Sequence, residues 1–443
     1  MMIRILIRTR MRTLTIPFSR VVASRLSHPT CKGTPRAMAS LPSPTREFST
    51  STFPEWSSKE LVEEESIPSY KAEQFYPVHI GQVFESRYQV VSKLGFGTSS
   101  TVWLCRDLKE HRYLALKVCI RKEGTEQHQH HEITVSQHLH DFRLESRGGE
   151  ELVRRVLDSF EITGPNGVHQ CLVYKPLGMS FTDFLKLFPD KMFPKDLVQR
   201  SIQFLLFAVD FLHKCEVVHT DISSNNLLQG VHDDSILAQL EQEEIDHPSA
   251  RKSLENDRAI YTSRPMPICT GFPVLCDLGE ARIGSGKHRG DIMPGIYRAP
   301  EVILGMEWDR KVDIWSIGLM TWDIFEGGRL FIARKDGILD DEQHLAEIVS
   351  LLGPPPLEFI KGNSKCLEYW DEEGNWKGSI PIPDQSFETR EWRLNEEDRA
   401  LFLKYLRRIL RWKPEERPTA EELAFDDFLM QPLLESRARA AGN

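Results

Sequence analysis

Three short strings fall in one order along this chain and constrain its fold more than any bulk property. They are Leu94-Gly95-Phe96-Gly97, then His219-Thr220-Asp221 with Asn226 five residues after the Asp, then Asp277-Leu278-Gly279. A glycine loop lies over phosphates without a Cβ in the way. An Asp orients a hydroxyl nucleophile, and an Asn and a second Asp are oxygen donors suited to Mg²⁺. Together they make the parts of a phosphoryl-transfer site. No single string would suffice, since a lone G-x-G is weak and a lone HxD weaker.

The chain has 443 residues, enough for two or three domains, with 40% hydrophobic and 27% charged residues. No apolar run reaches the roughly 20 residues that span a bilayer, so no membrane span is expected. Residues 1–46 hold eight Arg, one Lys and no acid, a formal +9 against −9 for the whole chain, so 47–443 carry −18. An acidic body argues against direct nucleic-acid binding and suits a basic protein substrate, although solubility explains it equally well. The eight Cys are scattered, with no CxxC or Cys/His metal spacing, and several sit in apolar strings such as Cys171-Leu172-Val173. They read as buried free thiols.

Residues 1–52 read as a basic leader, rich in Arg, Ser and Thr, with no acid before Glu47. That composition predicts a mitochondrial transit peptide, and Arg46-Glu47-Phe48-Ser49 resembles a matrix-peptidase site. The alternative is a disordered tail on a protein of the cytoplasm and nucleus. Residues 53–75, with Glu63, Glu64 and Glu65, read as an acidic linker.

Tyr88-Gln89-Val90-Val91 leads into the glycine loop and Thr101-Val102-Trp103-Leu104 leaves it, so strand, loop and strand are expected. Taken alone, the loop is equally an ordinary hairpin turn. In Leu114-Ala115-Leu116-Lys117-Val118 a Lys sits in an apolar strand, where it must find an anion. Glu132 is the candidate partner, and Glu126 competes for the part. Cys171-Leu172-Val173-Tyr174-Lys175-Pro176-Leu177-Gly178 reads as a strand running into a hinge. Apolar residues at helical spacing (Leu197, Ile202, Leu205, Val209, Leu212) predict a core helix that delivers Asp221. His219 reads as a core histidine that buttresses the loop. Downstream, Tyr297-Arg298-Ala299-Pro300-Glu301 precedes an apolar helix from Val312, and Arg417 is available to pair with Glu301. The last roles are structural: a buried ion pair and a backbone tie.

These strings resemble those of eukaryotic protein kinases, from about Tyr76 to Leu433. Within that superfamily the chain is similar to the SR-protein-specific kinases of the CMGC group, as a divergent, fungal-type member. The matching strings are Tyr76-Pro77-Val78-His79-Ile80-Gly81, Ser100-Thr101-Val102-Trp103-Leu104, His219-Thr220-Asp221-Ile222, Asp277-Leu278-Gly279-Glu280-Ala281 and His344-Leu345-Ala346-Glu347-Ile348. The resemblance implies an α+β, bilobal fold, with a small β-rich N-lobe and hinge over 76–178 and a large α-helical C-lobe over 179–433, followed by a tail over 434–443. It implies ATP and Mg²⁺ as cofactors. Leu94, Gly95, Gly97, Val102, Ala115, Lys117, Lys175 and Leu177 would surround the nucleotide. Asp221, Lys117 and Glu132 would be the catalytic set, and Asn226 and Asp277 the metal ligands. It further implies a monomeric serine/threonine kinase acting on protein substrates, Arg/Ser-rich ones among them, without need of activation-loop phosphorylation, because Thr220 replaces the usual Arg.

Fifty residues separate Asn226 from Asp277, so 231–270 hold an insertion, whose run Leu240-Glu241-Gln242-Glu243-Glu244 reads as a solvated loop or short helix. Ser223 stands where the family places a Lys that meets the γ-phosphate, Asn225 does not replace it, and Pro294 stands where the family places a Thr. Losing one such contact costs on the order of 10²–10³ in rate. Gln343 and Ser350 occupy positions where the family's substrate groove carries acids, while Asp340, Asp341 and Glu347 remain nearby to substitute. The runner-up reading is therefore a pseudokinase that binds ATP as a scaffold. A small-molecule phosphotransferase is the third.

Overall fold

The computed structural model describes residues 42–49, 53–121, 127–255 and 258–441. Apart from 42–49, the leader lies outside the described residues, as does Glu126. A six-stranded sheet forms the small lobe: β1 (Val83–Phe84), β2 (Tyr88–Gly97), β3 (Ser100–Asp107), β4 (Arg112–Arg121), β5 (Asp158–Gly164) and β6 (Gly167–Tyr174). Its order is β1-β2-β3-β4-β6-β5, with every neighbouring pair antiparallel. Alternating β-branched and aromatic residues suit a pleated, buried surface, and Val90, Cys105, Leu114, Leu116, Val118, Cys171 and Val173 form one apolar face.

Helix α1 (Gln127–Asp141) joins β4 to β5 and carries few apolar residues. Two of them, Val135 and Leu139, enter the apolar cluster of the large lobe, and His138 Nε2 bonds the carbonyl of Cys215 at 2.7 Å. After the hinge come β7 (Leu177–Ser180), α2 (Lys195–Lys214), β8 (Val217–Val218) and β9 (Leu227–Gly230). Helix α2 buries Ile202, Leu205, Val209 and Leu212 along one stripe, as the spacing predicts, while Leu197 is half-buried and Val198 beside it is buried.

The run 240–244 of the insertion lies on a helix, one of its two expected forms, but is packed rather than solvated, and residues 53–75 are packed against the sheet rather than a free linker. The insertion holds a helix, α3 (Ser235–Asp246), and a hairpin of β10 (Arg251–Ser253) and β11 (Ala259–Tyr261). Leu237, Leu240, Met266 and Cys269 pack with Val91 and Leu104 of the small-lobe sheet and with Phe48. Two acids of the run are buried because each meets a partner. Glu241 accepts from Tyr113 Oη at 2.6 Å and lies 3.3 Å from Arg106. Glu244 accepts from Arg264 at 2.7 Å and Ser249 Oγ at 2.5 Å. In 53–75, Glu63 and Glu64 both pair with the fully buried ammonium of Lys93 on β2, which also donates to the carbonyl of Tyr261 at 3.1 Å. Ahead of them, Arg46 and Gln89 exchange two hydrogen bonds at 2.8 Å. Pre-sheet segment, glycine-loop strand and insertion thus form one layer.

The chain then returns through β12 (Pro273–Leu275) and β13 (Arg282–Ile283). Register on β9 sets Leu275 opposite Leu227, and β13 pairs with β8, Arg282 opposite Val218. These two ladders bring the Asp277 segment against the Asp221 loop. Beneath lies α4 (Lys311–Glu326), largely apolar and buried from Val312 to Phe325, with its interior acids Asp313 and Asp323 hydrogen-bonded. Helices α5 (Asp341–Leu352) and α6 (Glu396–Ile409) follow it in the large lobe. The seven described cysteines are buried. Among the described residues no helix is long and apolar enough to cross a membrane.

Candidate active site

Lys117 stands mid-strand in β4, opposite Val102 on one side and Leu172 on the other. Its ammonium donates to Glu132 Oε2 at 2.8 Å and lies 3.9 Å from Asp277 Oδ1. Burial alone would depress this lysine, but the carboxylates of Glu132 and Asp277 outweigh it and hold its pKa above the ordinary value. Asp277 is pushed up by burial yet ends below the usual range, because Lys117 and the Gly279 N–H favour the carboxylate.

Asp221 and Asn226 meet within one loop. Asn226 Nδ2 donates to the Asp221 carbonyl at 2.8 Å and to its Oδ2 at 2.7 Å. Burial raises the Asp221 carboxyl, and the charges of Asp277 and Glu280 add to that, against the Asn226 N–H. His219 is fully buried, bonds the Cys276 carbonyl at 3.0 Å and accepts from the Asp221 N–H at 3.2 Å, so it buttresses the loop. Asp313, at the start of α4, is the backbone tie: it accepts from the N–H groups of His219 (2.9 Å) and Thr220 (2.8 Å) and from His213 (2.9 Å).

Thr220 has φ 69° and Asp277 φ 67°. For a β-branched residue that is a strained conformation. Thr220 is held there by Asp313 and by its own Oγ1, which donates to the Glu280 carbonyl at 2.7 Å. Another tie on that segment runs from His131 of α1 to the Ala281 carbonyl at 2.6 Å. Motif reading missed both ties, and it missed the bond of Tyr174 Oη to Glu132 Oε1 at 2.5 Å. The signal was faint: polar residues placed at the buried end of a strand and on the face of a helix.

The remaining predicted residues form walls. Leu94 and Val102 pack against a cluster of Ala115, Cys119, Leu172 and Tyr174. Lys175 follows β6, its carbonyl already taking a 3.3 Å bond from Arg154, and Leu177 opens β7 opposite Gly230. A Cβ built on Gly95 or Gly97 would meet no atom within 4 Å, so the loop borders open space that phosphates can enter. Asn226 commits its nitrogen to Asp221, which leaves its amide oxygen, with the half-exposed Asp277 carboxylate, as hard donors. Mg²⁺ takes one or two such protein ligands plus substrate phosphates, so this donor set fits ATP with Mg²⁺.

The acids expected to receive a basic substrate are otherwise engaged. Asp340 caps α5 by accepting from Gln343 N at 2.8 Å, and Asp341 accepts from Arg298 at 2.7 Å. Glu347 is buried and accepts from the N–H groups of Ile332 (2.7 Å) and Ala333 (3.0 Å). Each carboxylate already holds a partner within the fold.

A β-rich lobe over a helical lobe, with these groups converging between them, defines a protein kinase. Residues 88–429 match the protein kinase domain family, and the chain belongs to it. A serine/threonine protein kinase of Aspergillus fumigatus is 44% identical over 396 residues, covering 88% of this chain and 96% of that one. The serine/threonine-protein kinase SRPK of Physarum polycephalum is 31% identical, covering 81% of this chain and 90% of the other. Protein kinase dsk1 of Schizosaccharomyces pombe is 24% identical over 71% of this chain and 75% of its own. A solved kinase-domain structure, PF14_0431, superposes with TM-score 0.61 at 22% identity, over 80% of this chain and 99% of that one. The chain is a serine/threonine kinase of the SR-protein kinase branch of the CMGC group. Nothing in these likenesses supports the scaffold reading.

Proposed function

We propose that this kinase transfers the γ-phosphate of ATP, with Mg²⁺, to Ser or Thr hydroxyls of basic, Arg/Ser-containing proteins. One observation carries the reading: the Lys117 ammonium lies 2.8 Å from Glu132 and 3.9 Å from Asp277, while Asp221 is oriented by Asn226. When bound, Mg²⁺ supplies charge neutralisation at the phosphates. Lys117 grips the phosphates and Glu132 orients it. Asp221, one oxygen fixed by Asn226, aligns the acceptor hydroxyl and takes up its proton. Asp277 and Asn226 hold the metal. The Arg/Ser preference draws on the likeness to the relative named SRPK and on the acidic body, with recognition at the cleft rather than through the α5 acids.

With Ser223 in place of an ammonium, the γ-phosphate has one cation fewer, so turnover is expected to be slow. Ser223→Lys is expected to raise kcat by about 10- to 100-fold in radiolabelled ATP turnover on a basic protein. An unchanged rate would refute the role given to position 223. The basic leader supports a separate proposal, delivery to mitochondria. A fluorescent reporter fused to residues 1–60 is expected to localise there, and diffuse signal would refute it.

A further inference from the structure

Glu132 divides its two oxygens. Oε2 accepts from Lys117, and Oε1 accepts from the Tyr174 hydroxyl at 2.5 Å. Tyr174 ends β6 opposite Ala115 of β4, on the rigid sheet beside the hinge. Its side chain is buried, and its ring lies 4.5 Å from the Arg154 guanidinium. Arg154 is itself tied down, its N–H to the Leu275 carbonyl at 2.8 Å and its Nη2 to the Lys175 carbonyl at 3.3 Å. The phenol therefore has one position and one buried acceptor. Helix α1, by contrast, is polar and sends few apolar side chains into the core. Its other ties run to the large lobe, through His131 to Ala281, His138 to Cys215, and Val135 and Leu139 in the core, so the Tyr174 bond adds an anchor from the small-lobe sheet that keeps the glutamate facing the cleft.

We infer that the Tyr174 hydroxyl is a positioning group for phosphoryl transfer: it anchors Glu132, and through it α1 and Lys117, in the arrangement that grips the nucleotide. This rests on the reading of Lys117 as a phosphate contact. A hydroxyl that donates to a buried carboxylate is among the stronger hydrogen bonds. Burial and the Glu132 charge keep the phenol protonated, so it donates at every physiological pH. It holds α1 from the sheet side with no phosphate on the activation segment.

The test is steady-state turnover of radiolabelled ATP on histone by the full chain. The variants are Tyr174→Phe, Glu132→Gln, the double variant and Asp221→Asn. Tyr174→Phe removes one atom and keeps the ring over Arg154, so its melting temperature is expected within about 3 °C of wild type. Its kcat/KM for ATP is expected to fall about 10-fold, with KM for histone unchanged. In the Glu132→Gln background the same change is expected to add less than about twofold, because the two side chains act as one unit. Wild-type kinetics for Tyr174→Phe, or two losses that multiply, would overturn the inference. A fall in melting temperature that accounts for the lost activity would also overturn it. If Asp221→Asn keeps the wild-type rate, the phosphoryl-transfer reading itself fails. If Asp221→Asn is inactive and Tyr174→Phe is not impaired, only the role of Tyr174 is refuted.

Discussion

Asp221→Asn is expected to lower kcat by about 10²- to 10⁴-fold while KM for ATP stays within about twofold. The substitution keeps an acceptor oxygen for Asn226 and leaves the Lys117 and Asp277 contacts intact, so the nucleotide is still gripped. What is lost is the carboxylate that aligns the acceptor hydroxyl and takes its proton. The same variant is expected to be more stable than wild type at pH 7. Burial, with Asp277 and Glu280 adding, raises the folded-state pKa of Asp221 above its ordinary value. Below the unfolded pKa, about 3.9, both states hold the proton and nothing is lost. As pH rises through the raised folded pKa, the carboxylate ionises in a site that disfavours it, and stability falls. Asparagine carries no such penalty. Thermal unfolding is expected to show a higher melting temperature for Asp221→Asn than for wild type at pH 7, a gap that closes as pH falls toward the carboxylate range. A lower melting temperature at pH 7 would contradict the charge assignment.

Arg417→Ala is expected to cost about 3–5 kcal/mol, a drop of about 6–15 °C in the melting of the large lobe. Arg417 grips Glu301 with both arms, Nη1 to Oε1 at 2.6 Å and Nη2 to Oε2 at 2.7 Å, and both side chains are buried. It also donates to the Arg411 carbonyl and lies 5.0 Å from the Trp315 ring. Truncation strands the Glu301 charge in a dry site, and that stranding accounts for most of the cost. Arg417→Ala combined with Glu301→Gln is therefore expected to regain part of the loss. Calorimetry of the single and double variants checks this, and equal losses in the two would contradict it. Arg417→Lys keeps the charge but not the fork, so an intermediate loss is expected.

The site was legible where its chemistry demands neighbours in the chain. Asp221 and Asn226 bond each other five residues apart because one loop must orient the hydroxyl and offer a metal ligand together. Lys117 stood out because an ammonium in an apolar strand needs an anion, and Glu132 provides it. The Glu301 and Arg417 partnership was readable as two charges that burial must pair. The acids of the insertion misled, since a Glu-rich helix looks solvated until Arg106, Tyr113 and Arg264 arrive from elsewhere in the chain. Asp340, Asp341 and Glu347 show the same limit, because sequence counts carboxylates but not what they already hold.

From its residue order this chain determined the parts of a phosphoryl-transfer site, because each motif couples a chemical need to a short, local spacing, and the two-lobed fold followed from the resemblance those motifs carry. Only the tertiary structure decided which distant groups hold that machinery in place: Tyr174 on Glu132, His131 on Ala281, Thr220 on Glu280, and Lys93 among three segments. Those bonds join residues 29 to 168 positions apart, and their strength comes from shared burial, which no local pattern encodes.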